Sequence, residues 1–118
     1  MRSDGQGDSP VESRRVDRVE FVGEQDGPAE RKLKLALAPI LARHGVSRAY
    51  LAQIRVAEPD ESGVALCLVG EERPEVVAEI GNIFRALFGP QSRLDIIFLD
   101  KHQQVEILTV CRPFYVAA

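Results

Sequence analysis

The sequence predicts an α+β fold, and three observations carry that expectation. Two stretches place apolar residues at helical spacing: Leu33, Leu37, Ile40 and Leu41 with His44, then Val76, Val77, Ile80, Ile83, Phe84, Leu87 and Phe88. Four shorter runs, residues 16–22, 49–56, 64–69 and 94–99, are rich in Val, Ile, Leu and Phe and are bounded by turn residues, as strands are. The runs and stripes follow one another as β-α-β-β-α-β, the order of the split βαβ, ferredoxin-like pattern. The expectation is a four-stranded antiparallel sheet with two helices on one face, followed by a short C-terminal helix, an order compatible with right-handed crossovers.

The elements are justified in chain order. Residues 1–15 are mostly Ser, Gly, Asp, Glu and Arg with one valine, too little apolar surface to offset the entropy of ordering, so a disordered tail is expected before a single domain over 16–118. In the strand at 16–22, Val19 and Phe21 share a face. Gly27 and Pro28 open the first helix, with Glu30 in the first turn where the helix dipole favours an anion. Gly45 suits the left-handed position that ends it. Pro39 removes one helical hydrogen bond, and a kink is expected there. Pro59, Asp60 and Gly63 join the next two strands as a hairpin. Pro74 opens the second helix and Gly89-Pro90 closes it. After the strand at 94–99, Asp100 and Gln103 have the spacing of a capping box for a short helix with Val105, Leu108 and Ile107 facing inward.

The runs VALCLV and LDIIFL are apolar on both alternations apart from Asp95. A strand with one wet face should alternate, so both faces of the sheet should be covered. Leaving the second face wet would forfeit several kcal/mol at roughly 25 cal/mol per Å² and leave an adhesive patch. The C-terminal helix with Phe114 and Tyr115 is expected to cover part of it, and a homodimer is the candidate for the rest.

Composition narrows the function. The chain has 118 residues and a formal charge of −3, which argues against nucleic acid as partner, since phosphate binding needs a basic patch. No apolar run approaches the ~20 residues of a membrane span, and the N-terminus lacks the apolar core of a signal peptide. Two cysteines, Cys67 and Cys111, fall in no CxxC pair, which points to a reducing cytoplasm.

The helix from Leu33 to His44, of the type L-x-x-A-L-x-x-x-L-A-R-H, the RAYLA that follows it (Arg48 to Ala52), the IFRALFGP segment with LDIIFLD after it, and the closing RPFY resemble the C-terminal domain of the enhanced-serine-sensitivity protein SseB, a bacterial family. The likeness covers about residues 16–115 and rests on patterns of fold and core. It implies a bacterial cytosolic domain. The family takes its name from altered serine tolerance when the protein is overproduced, which specifies no reaction, and the resemblance carries no catalytic residue across. The N-terminal domain that usually precedes this one in the family is not among these residues.

The residues themselves supply no catalytic set. His44 and His102 lack the spacing of metal ligands, and no metal or cofactor is expected. Cys67 lies inside an apolar strand, the setting of an inert thiol. No serine lies in GxSxG, and Gly5-Gln6-Gly7 is not flanked as a phosphate loop would be. The carboxylates Glu24, Asp26 and Glu30, and Glu58, Asp60 and Glu61, lack EF-hand spacing and read as solvated loop charge. The expectation is a non-enzymatic module that binds an unidentified protein through a sheet face or strand edge, with Tyr50, Ile54, Phe114 and Tyr115 as candidate surface. The alternative is a small-molecule (amino-acid) sensing domain, its carboxylate held at the loop 23–27 and the N-terminus of the first helix.

Overall fold

A computed structural model describes residues 11–13, 19–56 and 61–118. The elements are β1 (Val11–Ser13), β2 (Val19–Glu24), α1 (Pro28–Arg43), β3 (Arg48–Val56), β4 (Glu61–Val69), α2 (Pro74–Phe88), β5 (Leu94–Phe98), α3 (Lys101–Leu108) and β6 (Tyr115–Val116). The fold is α+β, and the local signals are realised closely. Leu33, Leu37, Ile40 and Leu41 are the buried stripe of α1. Gly45 takes φ 73° after the helix and Gly89 takes φ 83° after α2, conformations nearly free for glycine alone. α1 runs on through Pro39, whose ring lies on the solvent side. The capping box of α3 is complete: the Gln103 N–H donates to Asp100 Oδ1 at 2.8 Å, and the Asp100 N–H donates to Gln103 Oε1 at 3.1 Å.

The sheet departs from expectation. Its strands run in the order β1-β5-β4-β3-β2, so it is mixed rather than antiparallel. β3 pairs antiparallel with β4 from Arg48↔Val69 to Val56↔Glu61, and antiparallel with β2 from Val19↔Val56 to Glu24↔Ala52. β4 and β5, joined by α2, lie side by side and parallel, with no strand between them, whereas the split pattern would have placed one there. Within the stretch expected to be unstructured, Val11–Ser13 pairs parallel with Leu94–Ile96. The backbone groups along that edge of β5 would otherwise lack partners, which draws even a polar segment into the ladder. The remainder of the tail, the start of the strand expected at 16–22 and the hairpin tip 57–60 lie outside the described residues. β6 pairs with Arg48 and Ala49 of β3, on the edge that β2 leaves open at that end.

Both faces of the sheet are buried. On one, Leu33, Leu37 and Leu41 of α1 and Val76, Ile80 and Phe84 of α2 pack on Ala49, Leu51, Leu66, Leu68, Leu94 and Ile96. On the other, Ile107 of α3 and Cys111 just beyond it pack on Tyr50, Ala52, Ile54, Ala65, Cys67, Ile97 and Leu99, with Phe21 of β2. The element required by the doubly apolar strands is therefore the C-terminal helix, as expected. Phe114 and Tyr115, expected on the same face, instead pack against the α1–α2 cluster. The pairing of β6 with β3 carries them round the sheet edge to that side.

Candidate functional site

α3 packs in the opposite sense to its apolar count. Gln103 and Ile107, four residues apart, turn inward, and Cys111 continues the row. Val105 and Leu108, expected inside, stand 68% and 52% exposed, and Val110 is 38% exposed. The capping box fixes this rotation, because Gln103 must curl back toward the Asp100 backbone, and a four-residue step from it selects Ile107. Of the outward residues, Val105 adjoins β2, where Val19, Glu20 and Phe21 with Val105, Glu106 and Thr109 line a shallow groove. β2 is the last strand of the sheet, so its outer edge has no strand partner among the described residues.

The four residues proposed from sequence divide. Tyr50 and Ile54 are buried, 0% and 1% exposed, under α3 and Cys111. They lie on the inner rows of a central strand and contribute to the core rather than to an outer surface. The buried Tyr50 hydroxyl has no hydrogen-bond partner. Phe114 and Tyr115 are half-buried. The Phe114 N–H donates to the Ala49 carbonyl at 2.9 Å, and the Lys34 ammonium lies 5.9 Å from the Phe114 ring centroid.

The loop before α1 is a charge network. The Arg112 backbone N–H donates to Glu24 Oε1 at 3.2 Å and its Nε at 3.3 Å, and the backbone bond first and then the side chain hold the Glu24 carboxyl below its usual range. Arg31 and Lys34 both reach Asp26 at 3.1 Å and lower its carboxyl likewise. Glu30 turns back over the start of the helix: its Oε2 accepts from Gln25 Nε2 at 3.1 Å, and its Oε1 lies 2.5 Å from where a Cβ on Gly27 would stand. The helix's own carboxylate thus stands where an incoming amino acid's would be held.

His44 lies at the C-terminus of α1, as expected, with Nε2 2.6 Å from Glu79 Oε1. Glu79 also accepts from Arg43, at 2.6 Å through Oε2, and Arg73 donates to the His44 carbonyl. His102 is exposed and 3.6 Å from Glu106. Cys67 is buried and burial pushes its thiol far up. Cys111, bonded to the Leu51 carbonyl, is pushed up to about 11, first by burial. Both are free thiols, and neither has the setting of a nucleophile. Among the described residues no three His, Cys, Asp or Glu side chains gather as metal ligands, and no helix is long and apolar enough to cross a membrane.

What these features define is a small α+β domain whose mixed sheet lies between a helix pair and one light C-terminal helix, without a catalytic constellation among the described residues. The chain belongs to the SseB protein C-terminal domain family, whose model matches residues 28–116. That match spans α1 through β6 and so includes both covers of the sheet. No curated protein and no solved structure matches the chain.

Proposed function

We propose that this domain is a non-enzymatic protein-interaction module of the bacterial cytoplasm and that its contact surface is the outer side of α3 with the neighbouring edge of β2. The observation that carries the proposal is the orientation of α3: one apolar residue of the helix faces the core while Val105 and Leu108 face water, with Val110 just beyond. Exposed apolar side chains on a helix beside an unpaired strand edge are a usual signature of a protein contact. The two unpaired, buried thiols suit a reducing compartment. Phe114 and Tyr115 serve this surface indirectly, by tying the chain that follows α3 to β3.

The test is a photo-reactive amino acid placed at position 105 in living cells, with position 35, an equally solvent-facing leucine on α1, as control. Discrete adducts from 105 and none from 35 are expected. Equal yields from the two positions, or none from 105, sink the proposal. The amino-acid sensor makes a different demand. A ligand at 100 times its dissociation constant would add about 2.7 kcal/mol to stability, so a thermal-shift panel of amino acids separates the two readings. A flat panel is expected.

A further inference from the structure

We propose that the β2 edge and the groove beside it take an extended, cationic segment of the partner, added to the sheet as one more strand. The inference rests on the interaction reading above and names the chemistry of its partner. Three observations carry it. The outer edge of β2 has no strand partner among the described residues, so a row of backbone donors and acceptors is open to an added strand. The groove flanking that edge has an apolar floor of Val19, Phe21 and Val105, which suits alternate apolar side chains of an extended peptide. The two charged residues at the groove are both acidic: Glu106 on α3, and Glu20, which lies between Val19 and Phe21 and so carries its carboxylate along the same edge on the other face of the strand. Arg55 stands across from Glu20 in the strand register and His102 lies 3.6 Å from Glu106, but neither lines the groove.

Charge also decides between a foreign partner and a second copy. Glu24 is held by Arg112, so the carboxylate that opposes self-pairing of β2 is Glu20, which a second copy would bring along the same edge as its own Glu20, and the whole chain carries −3. Like charges directly opposed across strands are destabilising, whereas lysine or arginine opposite Glu20 is favourable.

The probe is a blocked peptide alternating lysine and valine, titrated into the full chain and followed by backbone amide shifts. Shifts confined to residues 19–24 and 105–109 are expected, weakening as salt rises. A glutamate–valine peptide should leave the spectrum unchanged. Glu20→Lys should weaken binding about tenfold, and Glu20→Lys with Glu106→Lys should abolish it. Both positions are exposed, and an unaltered circular dichroism spectrum verifies that the variants fold. No shifts at millimolar peptide, equal binding of the glutamate peptide, or shifts elsewhere on the chain overturn the proposal. So do β2 shifts that follow protein concentration without peptide, which would put a second copy at this edge. Adducts at position 105 combined with a silent lysine peptide would overturn the cationic-strand assignment and leave the interaction surface standing.

Discussion

Two helices of 16 and 15 residues shield one face of the sheet, and one helix of 8 residues shields the other. The first cover is thick: α1 and α2 each lay a row of three buried apolar side chains on the strands, Leu33, Leu37 and Leu41 from one and Val76, Ile80 and Phe84 from the other. The second cover inserts Ile107 and Cys111, with Phe21 of β2 filling the side. It also holds an unpartnered tyrosine hydroxyl and both thiols, whereas, among the described residues, the buried polar atom without a partner at the helix-pair end is Arg73 Nε, at the start of α2. The difference teaches where the molecule can be adapted. Stability resides mainly under the helix pair, while the light cover turns apolar residues outward and borders the open strand edge.

The comparison is broken most directly by matched truncations. Leu37→Ala, at a 0% exposed position between α1 and the sheet, should cost about 3–5 kcal/mol in urea unfolding. Ile107→Ala, also 0% exposed, should cost about 2–3 kcal/mol, because a lone short helix can settle into the space it vacates. Equal losses would mean that the two covers are energetically alike.

Thiol labelling sharpens the same point. Both cysteines are buried on the α3 side, but Cys67 lies in a central strand and Cys111 in the segment that leaves α3. Opening of the C-terminal segment should expose Cys111 alone, so it should react about tenfold faster than Cys67 under native conditions, a gap of about 1.4 kcal/mol in opening free energy. Mass spectrometry of partly labelled protein reads this. Simultaneous labelling would make α3 part of one cooperative unit with the sheet. A smaller effect attends Tyr50→Phe. Removing a buried hydroxyl without a partner should leave stability unchanged or raise it by up to about 1 kcal/mol. A clear loss of stability would show that the hydroxyl has a partner, such as a buried water.

Much of this was legible residue by residue. The stripe of α1, the glycine stops, the Asp100–Gln103 box and the need for a second cover all follow from periods of three to four or two and from turn chemistry, which are local. The burial of Tyr50 was legible too, since Tyr50, Ala52, Ile54 and Val56 form one unbroken apolar alternation of β3 while Gln53 and Arg55 take the other. The inward row of α3 was legible only from Gln103, Ile107 and Cys111 taken together, against the stronger apolar pull of Val105 and Leu108. Strand order was not legible. An apolar strand such as 64–69 states that both its faces are buried and says nothing about which strand lies beside it, because backbone ladders are indifferent to side-chain identity. β1 gave no signal, since its three residues are held by the edge of β5 rather than by any pattern of their own.

The smallest effect tests how the thick cover is tied at its end. Glu79 of α2 accepts from His44 and Arg43 at the C-terminus of α1, and those bonds, the His44 contact first, hold its carboxyl below the usual glutamate value of 4.5. A carboxyl lowered on folding stabilises the native state where it is ionised, above its unfolded value, and that contribution fades as pH falls through the lowered native value. Glu79→Gln should therefore narrow the stability advantage of pH 7 over strongly acid pH, with wild type and variant converging below the carboxylate range. The side chain is 40% exposed, so solvent screening keeps the effect small. Urea midpoints across a pH series measure it. If the two profiles run parallel down to acid pH, the helix pair is joined by its apolar rows alone, and the contrast between the two covers rests entirely on buried area.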